Sequence, residues 1–353
     1  MNRIPHTTAP GSLPVGRILA TLVYIVVTFI SLSADRRFII DNDNYLQYFQ
    51  SDWIDYIADI FNNIDHDNLI TLSPIISEEI GWLSIIEILK SFLEPDYAVV
   101  SIIFFISLFI LISSLRFRNS AWALFLWFAL PVGFSVVGYF QLRQGLGLSI
   151  FYLFLTLGSM GLLGLIVASL VHTTFIIPAF FWTLALVSSR PVLGLCLQTA
   201  VAAVAPVAAA GLFADVAGRR ADTYQVDDGA TSPLFVAGAI ILLLPFLAII
   251  LGKRDRHIID DVVSNRYIMM YYGVSAFQIV SFFVFPLGTS RIGYFQFLLA
   301  IPLFASLNHY YIFRNSGKYW FLVATIVLAY SYAVYQIGKS VYDGRYYCIT
   351  VGC

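Results

Sequence analysis

Charge is what this chain of 353 residues has least of: only 12% of its residues are Asp, Glu, Lys or Arg. A soluble domain carries roughly 25%. With 59% hydrophobic residues and a mean hydropathy of +0.82, a soluble globular fold is excluded and a polytopic membrane protein is indicated. Cysteine is scarce too, at three. Cys196 lies inside an apolar stretch and is expected to be plain packing. Cys348 and Cys353 lie near the C-terminus, where an oxidising compartment would allow a disulfide without requiring one. No His/Cys/Asp/Glu set has metal-ligand spacing, so no metal is expected. There is no P-loop and no G-x-G-x-x-G, so neither ATP nor any other cofactor is expected to act through this chain. A net charge of −1 offers nothing to nucleic acid.

What the chain does have is a succession of apolar runs. A helix crossing a bilayer needs about 20 such residues. Candidate spans are Ile18–Leu32, Tyr97–Leu115, Ala121–Val137, Arg143–Leu157, Met160–Val171, Thr173–Val187, Pro191–Phe213, Pro233–Leu251, Tyr267–Phe285, Ile292–Phe313 and Tyr319–Tyr335. The expectation is a single all-α transmembrane domain over 1–353 with about eleven spans. Arg3 and Arg17 precede the first span, and no small-x-small site follows it, so it reads as an uncleaved anchor.

Lys and Arg in short loops favour the cytoplasm. Arg116 with Arg118, Arg190, Lys253 with Arg254 and Arg256, and Arg314 with Lys318 all fall on the side of the N-terminus. The odd span count then places the C-terminus outside. Residues 338–353 become an outer tail, 214–232 an outer loop and 35–95 an outer amphipathic segment. From Asp35 to Ile80 that segment holds ten acidic residues and two basic ones, too polar for lipid. Its Tyr45, Tyr48, Trp53 and Tyr56 suggest pieces lying on the membrane surface. Trp82–Leu93 carries Glu87 and Lys90, is too short to span, and reads as interfacial or re-entrant.

Arg143, Arg219, Arg220 and Arg291 defy the positive-inside bias, and His172 shares their outer face. Ionisable residues at a span are functional hypotheses. Arg143 follows Gly138-Tyr139-Phe140-Gln141 and opens an inward-running span. Arg291 does the same after Pro286-Leu287-Gly288-Thr289-Ser290. A helix start favours anions, and the guanidinium fork matches phosphate oxygens. Two such starts, with Gln144 and Gln296 nearby, would hold a diphosphate; the competing reading is snorkelling to lipid headgroups. His172 sits between two short apolar stretches. It is a general base, a polar contact to a sugar, or a buried histidine bonded to a facing carbonyl. Arg219, Arg220, Asp222 and Tyr224 suit carbohydrate contact or simple solvation. Asp41, Asp43, Glu78 and Glu79 are candidate bases.

Six blocks in this order resemble one known family. They are Asp41-Asn42-Asp43-Asn44-Tyr45-Leu46-Gln47-Tyr48, Glu79-Ile80-Gly81-Trp82, Gln141-Leu142-Arg143-Gln144-Gly145-Leu146-Gly147-Leu148-Ser149, Val171-His172-Thr173, Arg220-Ala221-Asp222-Thr223-Tyr224 and Ser290-Arg291-Ile292-Gly293-Tyr294-Phe295. Together they are similar to the EpsG-like, Wzy-type family of exopolysaccharide and O-antigen polymerases. Asn44 departs from the Asp-Tyr-x-x-Tyr expected in the first block. The resemblance implies a membrane glycosyltransferase like others that use lipid-linked donors, the GT-C-like enzymes. It would move a growing glycan from undecaprenyl diphosphate to a lipid-linked repeat unit at the outer face of the bacterial inner membrane. It implies Arg143, His172 and Arg291 as catalytic residues. It implies Gln144, Tyr294, Arg219, Arg220, Tyr224, Asp41, Asp43, Tyr45 and Glu79 as substrate contacts. Implied partners are the undecaprenyl-diphosphate-linked oligosaccharide, the bilayer, a chain-length regulator and a flippase. The competing classes are a lipid-linked oligosaccharide flippase and a glycan ligase. A transporter would show paired repeats with charge near the midplane; here there is no internal repeat, and the unusual charges gather on one face.

Overall fold

A computed structural model describes residues 14–33, 42–64, 73–129, 138, 141–158, 160–187, 191–216, 265–284, 296 and 298–342. These are almost wholly helical. The helices are α1 (Pro14–Ser33), α2 (Asn42–Gln50), α3 (Ile54–Asn62), α4 (Ser73–Ser77), α5 (Ile80–Lys90), α6 (Pro95–Arg116) and α7 (Ser120–Ala129). Then come α8 (Leu142–Thr156), α9 (Gly161–Val171), a 3-10 turn (Thr173–Phe175), α10 (Ile176–Val187), α11 (Pro191–Val216) and α12 (Asn265–Val284). The chain ends in α13 (298–306), α14 (His309–Arg314) and α15 (Trp320–Tyr342).

Three described helices are long and apolar enough to cross a bilayer: Val15–Ser33, Pro95–Arg116 and Asn265–Val284. Gly161–Val171, Thr173–Val187 and Val192–Ala208 are shorter apolar stretches. The eleven residues of α9 rise only about 16 Å, against a hydrocarbon core of about 30 Å. The expected span Pro233–Leu251 lies outside the described residues. The expected span Ile292–Phe313 is broken instead of continuous: α13 ends at Ser306, and α14 starts at His309 after Leu307 and Asn308. Cys196, expected to be packed, is exposed on α11.

The sequence dictates how α6 begins and ends. Pro95 occupies the first helical turn, where its missing N–H costs nothing. Arg116 sits in the last turn, where the helix dipole favours a cation. Ala98, Ile102, Ile106 and Ile110 recur every fourth residue and are buried, while Phe104 and Phe105 are exposed. α6 packs on α8, and α8 forms a hairpin with α9. The hairpin is tight because Gly164 faces Phe154: a Cβ there would lie 2.6 Å from that side chain. α10 and α11 both pack on α12. At one end of the molecule Arg17 donates to the Leu115 carbonyl at 2.7 Å. Tyr267 of α12 stacks on Phe151 of α8, with centroids 6.2 Å apart and planes within 2°.

Pro302 explains how α13 is tied to the rest. It has no N–H for the carbonyl four residues earlier, and its ring crowds that carbonyl. That residue is Leu298, and the Tyr152 hydroxyl donates to its oxygen. The next carbonyl, of Leu299, accepts from the Tyr267 hydroxyl at 2.6 Å. Two buried tyrosines thus meet the backbone that proline disturbs, joining α8 and α12 to α13. Tyr152→Phe is expected to lower stability by about 1 kcal/mol, the usual scale for stranding a buried acceptor. The penalty should shrink in a Pro302→Ala background, where residue 302 supplies its own N–H. Thermal unfolding in detergent of the four proteins in this cycle checks it. Equal penalties in both backgrounds would refute the account.

Candidate functional site

The site is built around a residue in an unusual backbone conformation. Glu79 has φ 54° and ψ 50°, the only positive φ among described residues other than glycine. A side chain in this left-handed region costs on the order of 1–2 kcal/mol. The bend lets the Glu79 carbonyl open α5, accepting from the Trp82 N–H at 2.8 Å and the Leu83 N–H at 3.2 Å. It also fixes the carboxylate next to the starts and ends of two other elements.

Arg143, the second residue of α8, donates through Nη1 to Glu79 Oε2 at 2.5 Å. The other oxygen, Oε1, accepts from the Thr173 N–H at 3.2 Å and the Thr173 hydroxyl at 2.9 Å. His172 ends α9 in an extended conformation. Its Nδ1 accepts from the Thr174 N–H at 3.3 Å, lies 3.0 Å from the Thr174 hydroxyl, and is 3.7 Å from Glu79 Oε1. Because Nδ1 accepts, neutral His172 carries its proton on Nε2. Beneath the cluster, Tyr45 packs edge-on against Trp82 at 5.8 Å, and its hydroxyl accepts the Leu142 N–H at 2.9 Å. That satisfies one of the unpaired N–H groups that start α8. The Arg143 guanidinium lies 5.5 Å from the centre of the Tyr48 ring, a cation–π distance.

Burial raises the Glu79 pKa. That is the largest single effect, but the Arg143 cation, His172 and the two Thr173 bonds together outweigh it, and the carboxyl is held below its ordinary value. Glu79 is therefore ionised near neutral pH. Arg143 is only partly covered, with 31% of its side chain exposed. It borders an open cleft whose walls include Tyr48, Trp53, Tyr56, Glu78, Glu79, Trp82 and Leu83.

Gly81 is what lets these parts meet. A Cβ there would lie 2.8–2.9 Å from Cβ, C and O of Leu170 on α9. Two of those three atoms are backbone and have little room to yield. Gly81→Ala is expected to push α5 off α9 and to cost about 1–3 kcal/mol. Gly16→Ala, in open space, is the control. Equal melting temperatures for the two variants would contradict the close approach.

Of the residues singled out from sequence, the structure brings together Arg143, His172 and Glu79. Gln144 is buried at 4% exposure and is not among the residues lining the cleft. Tyr45 is at 5% exposure, with its hydroxyl engaged by α8. Asp43 falls in α2, and its side chain is outside the described set. Asp41, Arg219, Arg220, Tyr224, Arg291 and Tyr294 lie outside the described residues. Sequence reasoning did not find Thr173 as a Glu79 partner, nor Tyr48, Trp53 and Tyr56 as cleft walls. The aromatic cluster was the available signal, and it pointed equally to a lipid surface. Glu87 and Lys90, the charges on α5, hold the α2–α3 connection: Glu87 accepts the Trp53 N–H at 3.0 Å, and Lys90 donates to the Ser51 carbonyl at 2.7 Å.

A family model described as the EpsG family matches residues 20–347. Neither a curated protein nor a solved structure matches the chain.

Proposed function

The chain belongs to the EpsG family, and from that premise we propose that this membrane protein is a polysaccharide polymerase. In this reading it transfers a growing glycan from undecaprenyl diphosphate to a lipid-linked repeat unit. The reaction takes place at the outer face of the bacterial inner membrane, which the chain crosses several times. The observation that carries the reading is the Glu79–Arg143–His172 cluster. Three separate stretches deliver a held cation, an ionised carboxylate and a histidine to one spot, and the cation and carboxylate border an open cleft.

The chemistry follows from the bonds that change. A hydroxyl of the acceptor sugar attacks the donor's anomeric carbon. The bond from that carbon to the diphosphate oxygen breaks, and negative charge grows on the leaving diphosphate. A fixed guanidinium aimed there stabilises the transition state more than the ground state. Arg143 is that group, with Glu79 holding its fork in place, and Arg291 is proposed as a second cation. Both Glu79 oxygens are already engaged, which leaves the neighbouring Glu78 on the cleft wall to take the acceptor's proton. His172, with a proton on Nε2, is suited to donate to a sugar or diphosphate oxygen.

The deciding experiment is the glycan profile of cells lacking the gene. Single-unit caps without long chains support a polymerase. Loss of all glycan supports a flippase or ligase and overturns the proposal. Because arginine neutralises the diphosphate here, purified protein should extend a lipid-linked unit in excess chelator. Complete loss, restored by one specific ion, would reassign the acidic residues as metal ligands.

A further inference from the structure

We propose that the cleft beside Arg143 is a subsite for one pyranose ring of the acceptor glycan, with Trp53 and Tyr56 as its stacking surface and Glu78 as its hydroxyl partner. The assignment rests on the polymerase reading and adds to it which side of the reaction this face serves.

Three observations carry it. Trp53 is held from several sides. Its N–H donates to Glu87 Oε1 at 3.0 Å, its indole N–H donates to the Tyr48 carbonyl at 2.8 Å, and Lys90 pins Ser51 two residues earlier. A ring fixed in this way loses little freedom when a ligand stacks on it. Next, the indole N–H is used inside the protein. An interfacial tryptophan keeps that polar handle for the headgroup layer; here the ring offers the cleft apolar surface. Tyr48 and Tyr56 flank it, with centroids 5.7 and 6.0 Å away. Finally, the wall opposite in character is charged, with Glu78, Glu79 and Arg143 lining the same cleft. A pyranose has an apolar C–H face and a rim of hydroxyls, which this mixture matches. An acyl chain has no use for two carboxylates and a guanidinium.

The test uses the full-length protein in liposomes, with the host's own lipid-linked repeat unit as substrate. Initial rates are followed against acceptor concentration for wild type, Trp53→Ala, Trp53→Phe and Tyr56→Leu. Trp53→Ala is expected to raise the acceptor KM about tenfold with kcat nearly unchanged, the scale of one lost aromatic contact. Phe should recover most of the loss. Tyr56 is 40% exposed, so Tyr56→Leu gives a second reading if Trp53→Ala folds poorly. An unchanged KM in both Tyr56→Leu and a folded Trp53 variant would overturn the subsite while leaving the polymerase reading intact. A parallel measurement follows tryptophan fluorescence with oligosaccharides cut from the host polymer, taken as the difference between wild type and Trp53→Phe. Saturable quenching supports the subsite even if wild-type protein extends nothing, which separates the two failures. Quenching of Trp53 by brominated-lipid vesicles, and not by the oligosaccharides, would make it a membrane contact and overturn the proposal.

Discussion

Cells whose only copy carries Arg143→Ala are expected to display single-repeat caps in place of long polymer. The rate of extension should fall on the order of a hundredfold or more, since losing one donor to a developing oxyanion removes roughly 3–4 kcal/mol of transition-state stabilisation. Arg143→Lys should recover only part of the activity, because an ammonium lacks the two-pronged geometry. Substitution by alanine also strands the Glu79 carboxylate. The double variant Arg143→Gln with Glu79→Gln removes both charges together. It should express at the wild-type level and still make no long polymer. Chain-length distribution with a blot for expression reads all three. Normal polymer from well-expressed Arg143 variants would reduce the ion pair to packing and return Arg143 to snorkelling.

Glu79→Ala should cause a large loss of stability. Removing one member of a buried pair leaves the other uncompensated, at about 3–5 kcal/mol. Arg143 keeps 31% of its side chain exposed, so the expected loss is near the low end, about 3 kcal/mol. Melting in detergent should reveal coupling, with Glu79→Ala and Arg143→Ala combined losing less than the sum of the two single variants. The sign of the pH dependence follows from the carboxyl being held below its ordinary value. The pair contributes fully above the unfolded value of about 4.3. The contribution is lost as pH falls through the lower folded value. Wild type and Glu79→Gln should therefore differ at neutral pH and converge in acid. Additive penalties, or a gap that persists in acid, would show that the two charges do not hold each other.

Much of the fold was legible because bilayer helices follow from composition. α1, α6 and α12 fall where long apolar runs place them, shifted by a few residues. The Ile292–Phe313 run was misread as one helix because hydropathy does not register a break at Leu307 and Asn308. The tie to α13 was also hidden. Pro302 announces a disturbed carbonyl, and no local rule says that Tyr152 and Tyr267 will be the donors. Tyr45 shows another limit: its place in an acidic outer segment suggested the membrane surface, and no local rule says that its hydroxyl will accept the Leu142 N–H at the start of α8.

By itself, the sequence determined that this is a helical membrane protein of the EpsG family, and it placed Glu79, Arg143 and His172 among a longer set of candidate site residues. Scarce charge is costly near lipid, so each charged residue at a span boundary stands out in one dimension. Only the tertiary structure decided that these three meet. Residues separated by 64 and 93 positions come together because Gly81 lets α5 approach α9 and because Glu79 adopts a left-handed turn. Neither close approach nor backbone strain is written in hydropathy. It also decided which way Trp53 faces, since its backbone N–H is held by Glu87 and its ring by the indole N–H bond to the Tyr48 carbonyl, which hydropathy does not register.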